Sequence, residues 1–354
     1  MFPEISITKT TTPRQRPQPG QPLPFGHIFS DHMFVMDYVE GQGWINPRIV
    51  PYGPFEIEPS AMVFHYGQAV FEGLKAYKCE DGSINLFRPA CNFERMNNSN
   101  DRLVIPKVDV DFCVYATKKL VELDQDWIPD LPGTSLYIRP FVISPELNLA
   151  PVAAKSYWFL IILTPVTPYH SKVSHILVED EYIRAAVGGT GFAKCGGNYA
   201  GALRANVKAA KYHCDDVLWL DAKEHKYIEE VGTSNAFFVI DGKVVTSPLT
   251  GSILPGVTRD SVIQMLEKWG VEVDQRRLPV DEAIEAAKSG RMTEAFASGT
   301  ACVIAPMGLL NYKGEDYPIN GEQVGPISKK LYDTLYGMQT GVVPDEMGGW
   351  VVTL

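Results

Sequence analysis

The run Tyr157–Leu163 (YWFLIIL) sets the tightest limit on how this chain can fold. Its seven apolar side chains stop at Thr164-Pro165, far too few to cross a bilayer, and predict a buried strand. Three more β-rich runs, His32–Val39 (HMFVMDYV), Ser83–Phe87 (SINLF) and Ser135–Ile143 (SLYIRPFVI), read as strands of the same half. Between them, Val110–Trp127 brings Cys113, Val114, Thr117, Leu120 and Val121 near helical spacing after Pro106, which predicts a packed amphipathic helix. The first half is therefore mixed α and β.

The chain has 354 residues, which at roughly 150 residues per domain predicts two domains. The prolines and polar residues after the apolar run (TPVTPYHSKVSH, 164–175) mark a break. The expected layout is an arm at 1–30, a small α/β domain at 31–167, a linker at 168–181 and a larger domain at 182–354. The arm carries prolines and arginines but no apolar core, so it reads as a flexible or surface-hugging segment rather than a secretion signal. The second half offers strands at DVLWL (216–220) and NAFFVI (235–240). Helices are expected over Thr258–Trp269 and through VDEAIEAAKSG, the latter closed by Gly290.

The formal net charge is −10, which lacks the cationic excess that nucleic-acid backbones require and leaves a small anion as the anionic ligand to consider. Six cysteines without a C-x-x-C pair suit a reducing compartment, and the expectation is a cytoplasmic protein. The seven histidines show no metal-ligand spacing.

Lys194 stands alone in GGTGFAKCGGNYAGA, where six glycines leave room for a flat ligand beside the amine. A confined lysine suits Schiff-base chemistry, because the neutral amine is the nucleophile; a lysine in an exposed turn, or one that only contacts an anion, fits the same residues. The spacing matches neither a P-loop nor G-x-G-x-x-G. Downstream, Pro255-Gly256 leads into a helix whose Val257 and Thr258 amides could cradle a phosphate, or simply form an N-cap. Phe296–Cys302 (FASGTAC) is a second glycine turn, with Thr300 at its tip. Glu229 and Glu230 precede an apolar strand, so one could face a cationic partner. In the first half His65, Tyr66, Arg95, Tyr137 and Arg139 gather polar and aromatic groups, the arginines being suited to phosphate or carboxylate.

Taken in order, FHYGQAVFEGLKAY, LFRPACNFERM, GTSLYIRP, GTGFAKCGGNYAGAL, YIEEVGTSNAFF, GSILPGVTRDS and FASGTAC resemble the branched-chain amino acid aminotransferases, from about Asp31 to the C-terminus. That resemblance implies the two-domain α/β architecture of fold-type IV pyridoxal-phosphate enzymes, a smaller α/β domain plus a larger β-rich domain with helices. It implies reversible transfer of the amino group of L-leucine, L-isoleucine or L-valine to 2-oxoglutarate.

By the same resemblance, Lys194 carries pyridoxal 5′-phosphate and moves the proton, Glu230 pairs with the pyridine nitrogen, and Tyr199 meets the phenolic oxygen. Arg95, Val257, Thr258 and Thr300 hold the phosphate, and Thr233 completes the cofactor set. Thr300 and Ala301 offer amides to the substrate carboxylate. Tyr66, Phe71 and Tyr137 wall an apolar pocket, Arg139 meets the side-chain carboxylate of glutamate, and a homodimer is implied because the counterpart of Tyr66 reaches in from a partner. The partners expected are small-molecule substrates, without nucleic acid or membrane. The redox-sensitive C-x-x-C of mammalian members is replaced by Cys302-Val303-Ile304-Ala305. D-amino acid aminotransferases and aminodeoxychorismate-lyase-like enzymes share this fold, and a binding protein that kept only the phosphate site is the alternative from another class.

Overall fold

The computed structural model describes residues 2–354 apart from Pro19, Pro132 and 168–171. The chain divides into two compact units: one made of Met1–Pro168, Ala193–Gly196 and Met338–Leu354, the other of Tyr169–Phe192 and Gly197–Gly337.

The first unit is built on a nine-stranded sheet. Its order is Ser6–Ile7, Gly43–Pro51, His32–Val39, Ser156–Val166, Ser135–Ile143, Leu74–Lys78, Ile84–Phe87 and Val351–Thr353, with Ala69–Phe71 also paired to Ser135–Ile143. The apolar run lies at its middle and is covered on both faces. Tyr157, Phe159, Ile161 and Leu163 enter the main core, whereas Leu160, with Trp158 and Ile162 beside it, joins a second apolar cluster around Met33 and Val35. Burial of side chains this size contributes about 1.5–3 kcal/mol each, so this strand anchors the unit. The helices Pro89–Arg102 and Val110–Leu123 pack on the main core through Phe93, Met96, Phe112, Ala116 and Leu120. The second of these stops at Leu123, short of the expected Trp127, because Gln125–Trp127 tightens into a 3-10 turn.

In the second unit ten strands form a sheet that closes on itself. Ser174–Glu179, Asp216–Leu220, Tyr227–Val231, Ser234–Ile240, Met292–Gly299 and Val303–Tyr312 make a ring of six, since Tyr227–Val231 pairs both with Asp216–Leu220 and with Ser234–Ile240. The hairpin between Tyr227–Val231 and Ser234–Ile240 turns on Gly232-Thr233. Gly232 has φ +52°, and a Cβ there would collide with the Asp216 carboxylate, so only glycine fits. Stacked Phe237 and Phe296, 5.1 Å apart, bind two of the ring's strands, and the helices Val257–Lys268 and Val280–Lys288 lie on the sheet.

Two sequence expectations need correction. The expected linker 168–181 contains the strand Ser174–Glu179, which sits between two neighbours inside the closed ring; 168–171 lie outside the described residues. The span 182–354 is not one body: Ala193–Gly196, with Lys194, and Met338–Leu354 belong to the first unit. Of the two readings of the arm, flexible or surface-hugging, the contacts at its start match the second. Ser6–Ile7 adds a parallel strand to Gly43–Pro51, and Phe2 packs on Phe112 and Tyr115. All six cysteines are free thiols, and among the described residues no helix is long and apolar enough to cross a membrane.

Candidate active site

Lys194 is fixed by its backbone before its side chain comes into play. The Phe71 N–H donates to the Lys194 carbonyl at 3.0 Å, the Lys194 N–H donates to Ser99 Oγ at 2.8 Å, and Cys195 bridges Val70. The segment thus lines the free edge of Ala69–Phe71, whose other edge pairs with Ser135–Ile143. Lys194 Nζ lies 4.8 Å from the Phe71 ring centroid. The guanidinium of Arg139 lies 4.8 Å from the same centroid and 5.3 Å from that of Tyr137, whose hydroxyl accepts from Arg139 Nη2 at 3.2 Å. Arg139 Nε is buried and without a hydrogen-bond partner, and no carboxylate pairs with this arginine among the described residues. A partly buried cation whose Nε is sealed from water in this way suits an anionic ligand.

One residue from Phe71, Glu72 is fully buried and holds Arg95 in a two-pronged pair: Nε donates to Oε1 at 2.8 Å and Nη2 to Oε2 at 2.7 Å. Asn92 adds a third donor at 3.0 Å. Burial alone would push the Glu72 carboxyl up, but Arg95, together with Lys194 and Asn92, outweighs it and holds the group below the ordinary carboxylate range. Arg95, expected to be a phosphate ligand, is thus first of all the partner of Glu72. Tyr66 closes the helix Met62–Tyr66, its hydroxyl donating to the Leu149 carbonyl, and remains 45% exposed.

In the second unit the two adjacent glutamates separate onto opposite faces of Tyr227–Val231, as alternation along a strand requires. Glu230 joins Tyr199, Asn198, Thr233, Arg184 and Leu254 around one small cavity. Its Oε1 accepts from the Leu254 N–H at 2.8 Å and from Asn235 Nδ2 at 3.2 Å, and its Oε2 lies 2.9 Å from Arg184 Nε. The Leu254 and Asn235 donors, with the charge of Arg184, replace water around a carboxylate that is only 2% exposed. Glu229 instead faces a cavity of about 480 Å³ with Asp221, Lys223 and Arg277. Ser252 Oγ donates to its Oε1 at 2.5 Å, its Oε2 has no partner, and burial pushes its carboxyl up.

Val257 and Thr258 open the helix Val257–Lys268. Gly256 occupies the N-cap and no side chain caps the helix, so the dipole and the first amides are presented by backbone alone. Thr300 and Ala301 form the turn between Met292–Gly299 and Val303–Tyr312, with Thr300 half-buried and Ala301 exposed. Register sets Glu230 beside Asn235, and Asn235 beside Ser298, two residues before Thr300. In the first unit Lys194, Phe71, Tyr137, Arg139 and Arg95 thus gather around Ala69–Phe71 and Glu72. In the second, Tyr199, Glu230 and Thr233 share one cavity. Sequence reasoning missed Glu72, Arg184, Asn235 and Ser99. The first three carry a signal, a lone polar group within an otherwise apolar or small-residue stretch (VFEGL, YIRAAV, SNAFF).

Each unit carries groups of the kind that pyridoxal phosphate takes: in the first an amine on a clamped backbone, and in the second a buried carboxylate held in place, a phenol in the same cavity and an uncapped helix N-terminus. The family model for amino-transferase class IV matches residues 69–308. Branched-chain-amino-acid aminotransferase 2 of Bacillus subtilis (strain 168) is 52% identical over 347 residues, covering 97% of this chain and 95% of its own. Branched-chain-amino-acid transaminase 1 of the same organism is 51% identical over 343 residues, covering 96% of each. Among solved structures, branched-chain amino acid aminotransferase of Escherichia coli superposes with TM-score 0.75 at 26% identity, over 91% of this chain and 98% of that one. The fold, the chemistry of these side chains and similarity along nearly the whole length agree: the chain belongs to the class IV aminotransferases, in the group of branched-chain-amino-acid aminotransferases.

Proposed function

We propose that Lys194 is the reactive amine of a branched-chain amino acid aminotransferase that moves the amino group of L-leucine, L-isoleucine or L-valine to 2-oxoglutarate. The observation that carries the residue assignment is the sharing of one ring: Lys194 Nζ and the Arg139 guanidinium each lie 4.8 Å from the centroid of Phe71. An amine and the partly buried guanidinium of Arg139 beside one aromatic wall suit a substrate with an α-amino group at one end and an acid, or a branched alkyl group, at the other.

Bound pyridoxal 5′-phosphate supplies an electron sink for negative charge on the substrate α-carbon. Lys194 would hold the cofactor covalently and, once released, take the α-proton and return it two atoms along, at the cofactor C4′. Glu230, held by Arg184, Asn235 and the Leu254 amide, would keep a proton on the pyridine nitrogen; Tyr199 would meet the phenolic oxygen, and Thr233, in the same cavity, would complete the cofactor set. The Val257 and Thr258 amides, Thr300 and Arg95 would hold the phosphate, with Glu72 setting the orientation of Arg95. Phe71, Tyr137 and Tyr66 would wall the alkyl pocket, Thr300 and Ala301 would receive the α-carboxylate, and Arg139 the second carboxylate of glutamate.

We assign the protein to the cytoplasm as a homodimer. Its free cysteines support the first, and the exposed Tyr66 on a ledge with Phe64, Leu147 and Leu149 supports the second. Light scattering tests the dimer: a mass of one chain refutes it. For the chemistry, the yellow protein is reduced with borohydride and peptide-mapped, then assayed with each enantiomer of leucine. A pyridoxyl adduct on Lys194 and turnover of the L-form are expected; an adduct elsewhere removes the lysine assignment, and turnover of D-leucine alone points to a D-amino acid enzyme.

A further inference from the structure

Asn235 is an amide buried in an apolar strand, 5% exposed, between Ser234 and the run AFFVI. Its single Nδ2 makes two bonds of different kind. One goes to Glu230 Oε1 at 3.2 Å, the other to the Leu254 carbonyl at 3.0 Å. The Leu254 amide closes the triangle by donating to the same Glu230 oxygen at 2.8 Å. Two residues on, the backbone of Gly256 runs so near that an added Cβ would collide with Asn235 Oδ1. Gly256 is the N-cap of the helix that begins at Val257. One side chain therefore ties the buried carboxylate to the segment that launches the uncapped helix N-terminus. Arg184 makes the corresponding tie on the other carboxylate oxygen: beside its contact with Glu230 Oε2, its Nη2 donates to the carbonyls of Gly191 and Ser252.

We infer that Asn235 is a positioning residue that fixes the distance between Glu230 and the helix N-terminus, so that the pyridine nitrogen and the phosphate of one cofactor are gripped in register. The inference rests on the proposed roles of Glu230, Val257 and Thr258. Its physical basis is that a carboxylate deprived of one of two donors on the same oxygen swings about its remaining contacts, and a hydrogen bond to a charged group is worth roughly a factor of ten or more in an equilibrium constant. Glycine at 256 is a consequence of the same close approach: any side chain there would push the amide off Glu230.

The test uses holoenzyme carrying Asn235→Ala, Asn235→Asp, Gly256→Ala and Glu230→Gln, singly and with Asn235→Ala in the Glu230→Gln background. The readouts are the absorbance maximum of the bound cofactor, its dissociation constant by equilibrium dialysis, and kcat and KM for L-leucine; circular dichroism checks folding. Asn235→Ala is expected to move the absorbance maximum in the same direction as Glu230→Gln, to lower kcat about tenfold with KM changed less than about threefold, and to weaken cofactor binding about tenfold. Gly256→Ala should reproduce this pattern, and Asn235→Asp, which keeps the shape but loses the donor, should not rescue it. In the Glu230→Gln background the effect of Asn235→Ala on absorbance should vanish while weaker binding persists, because the Leu254 contact is independent of the carboxylate.

If Glu230→Gln shifts absorbance and turnover but Asn235→Ala and Gly256→Ala leave both unchanged, the positioning role is overturned and the role of Glu230 stands. If Asn235→Asp behaves as wild type, the residue only fills space and the inference fails. If Glu230→Gln is itself silent, the pyridine partner lies elsewhere and the inference falls with it.

Discussion

Replacing Arg139 by methionine separates the two halves of the reaction. The substitution keeps an unbranched stem beside Phe71 and Tyr137 but removes the guanidinium, with its buried Nε and its bond to the Tyr137 hydroxyl at 3.2 Å. A hydrogen bond to a charged group contributes about 1.5–3 kcal/mol, which at 1.4 kcal/mol per decade is a factor of roughly 10 to 150. That factor should fall on kcat/KM for 2-oxoglutarate, measured as the isolated half-reaction by stopped-flow absorbance. The leucine half-reaction makes no use of a second cation and keeps an apolar stem against Phe71, so it should change less than about threefold. Tyr137→Phe is the control. It removes the hydroxyl that orients Arg139 and should cost the acid substrate about 0.5–1.5 kcal/mol, a neutral bond's worth. Equal losses in both half-reactions would show that Arg139 shapes the wall rather than binding the acid, and no loss in either would refute the reasoning.

Lys194→Ala should abolish turnover while circular dichroism stays native, because the backbone bonds to Phe71 and Ser99 do not use the side chain; residual activity near wild type would remove the assignment. Glu72→Gln should destabilise the fold by about 3–5 kcal/mol in urea titrations, the cost of a buried charge left without its partner. Its carboxyl is held low in the folded state, so its contribution is fully present above the ordinary value of 4.5 and is lost as pH falls through the folded value. Wild type should therefore lose stability on acidification in a range where the variant's curve is flatter. Glu229→Gln should leave turnover unchanged and raise the melting temperature. Burial raises that carboxyl, which means the ionised form is carried at a cost above pH 4.5 that the amide does not incur; a fall in both turnover and stability would contradict this.

Much of the first unit was legible because its signals are local. The apolar run is a central strand with both faces covered, and Asp109 caps the helix Val110–Leu123 through the Phe112 amide at 2.8 Å, as a residue preceding an amphipathic run should. The closed ring of the second unit was not legible. Three of its pairings join near neighbours in sequence, across Gly232-Thr233, across Thr300–Cys302 and between Asp216–Leu220 and Tyr227–Val231, but closure depends on Phe237 meeting Phe296 and Ile176 meeting Asp216 over distances that no window of residues senses. The linker was misplaced for a related reason. Thr164 to His175 is polar and proline-bearing, and that signal concealed the strand that begins at Ser174 and finds its partners far along the chain.

The site divides in the same way, between residues defined by what they react with and residues defined by what they touch inside the protein. Lys194 and Glu230 stand in blocks whose order along the chain resembles one family, and that resemblance is what assigns them roles. Glu72 shows in the sequence only as a lone acid in an apolar stretch, which says nothing about which cation it will meet. Yet Glu72 makes the expected position of Arg95 physically sustainable. A guanidinium left 7% exposed without a carboxylate would cost several kcal/mol in desolvation, and the two-pronged pair with Glu72 offsets that cost while fixing the plane of the fork. The Glu72 carboxyl lies near Lys194 as well, and the charge of that lysine helps to hold it ionised. A single buried carboxylate thus orients Arg95 and lies within the electrostatic reach of Lys194. It follows that Glu72→Gln should weaken cofactor binding as well as stability, although Glu72 itself has no role as a ligand.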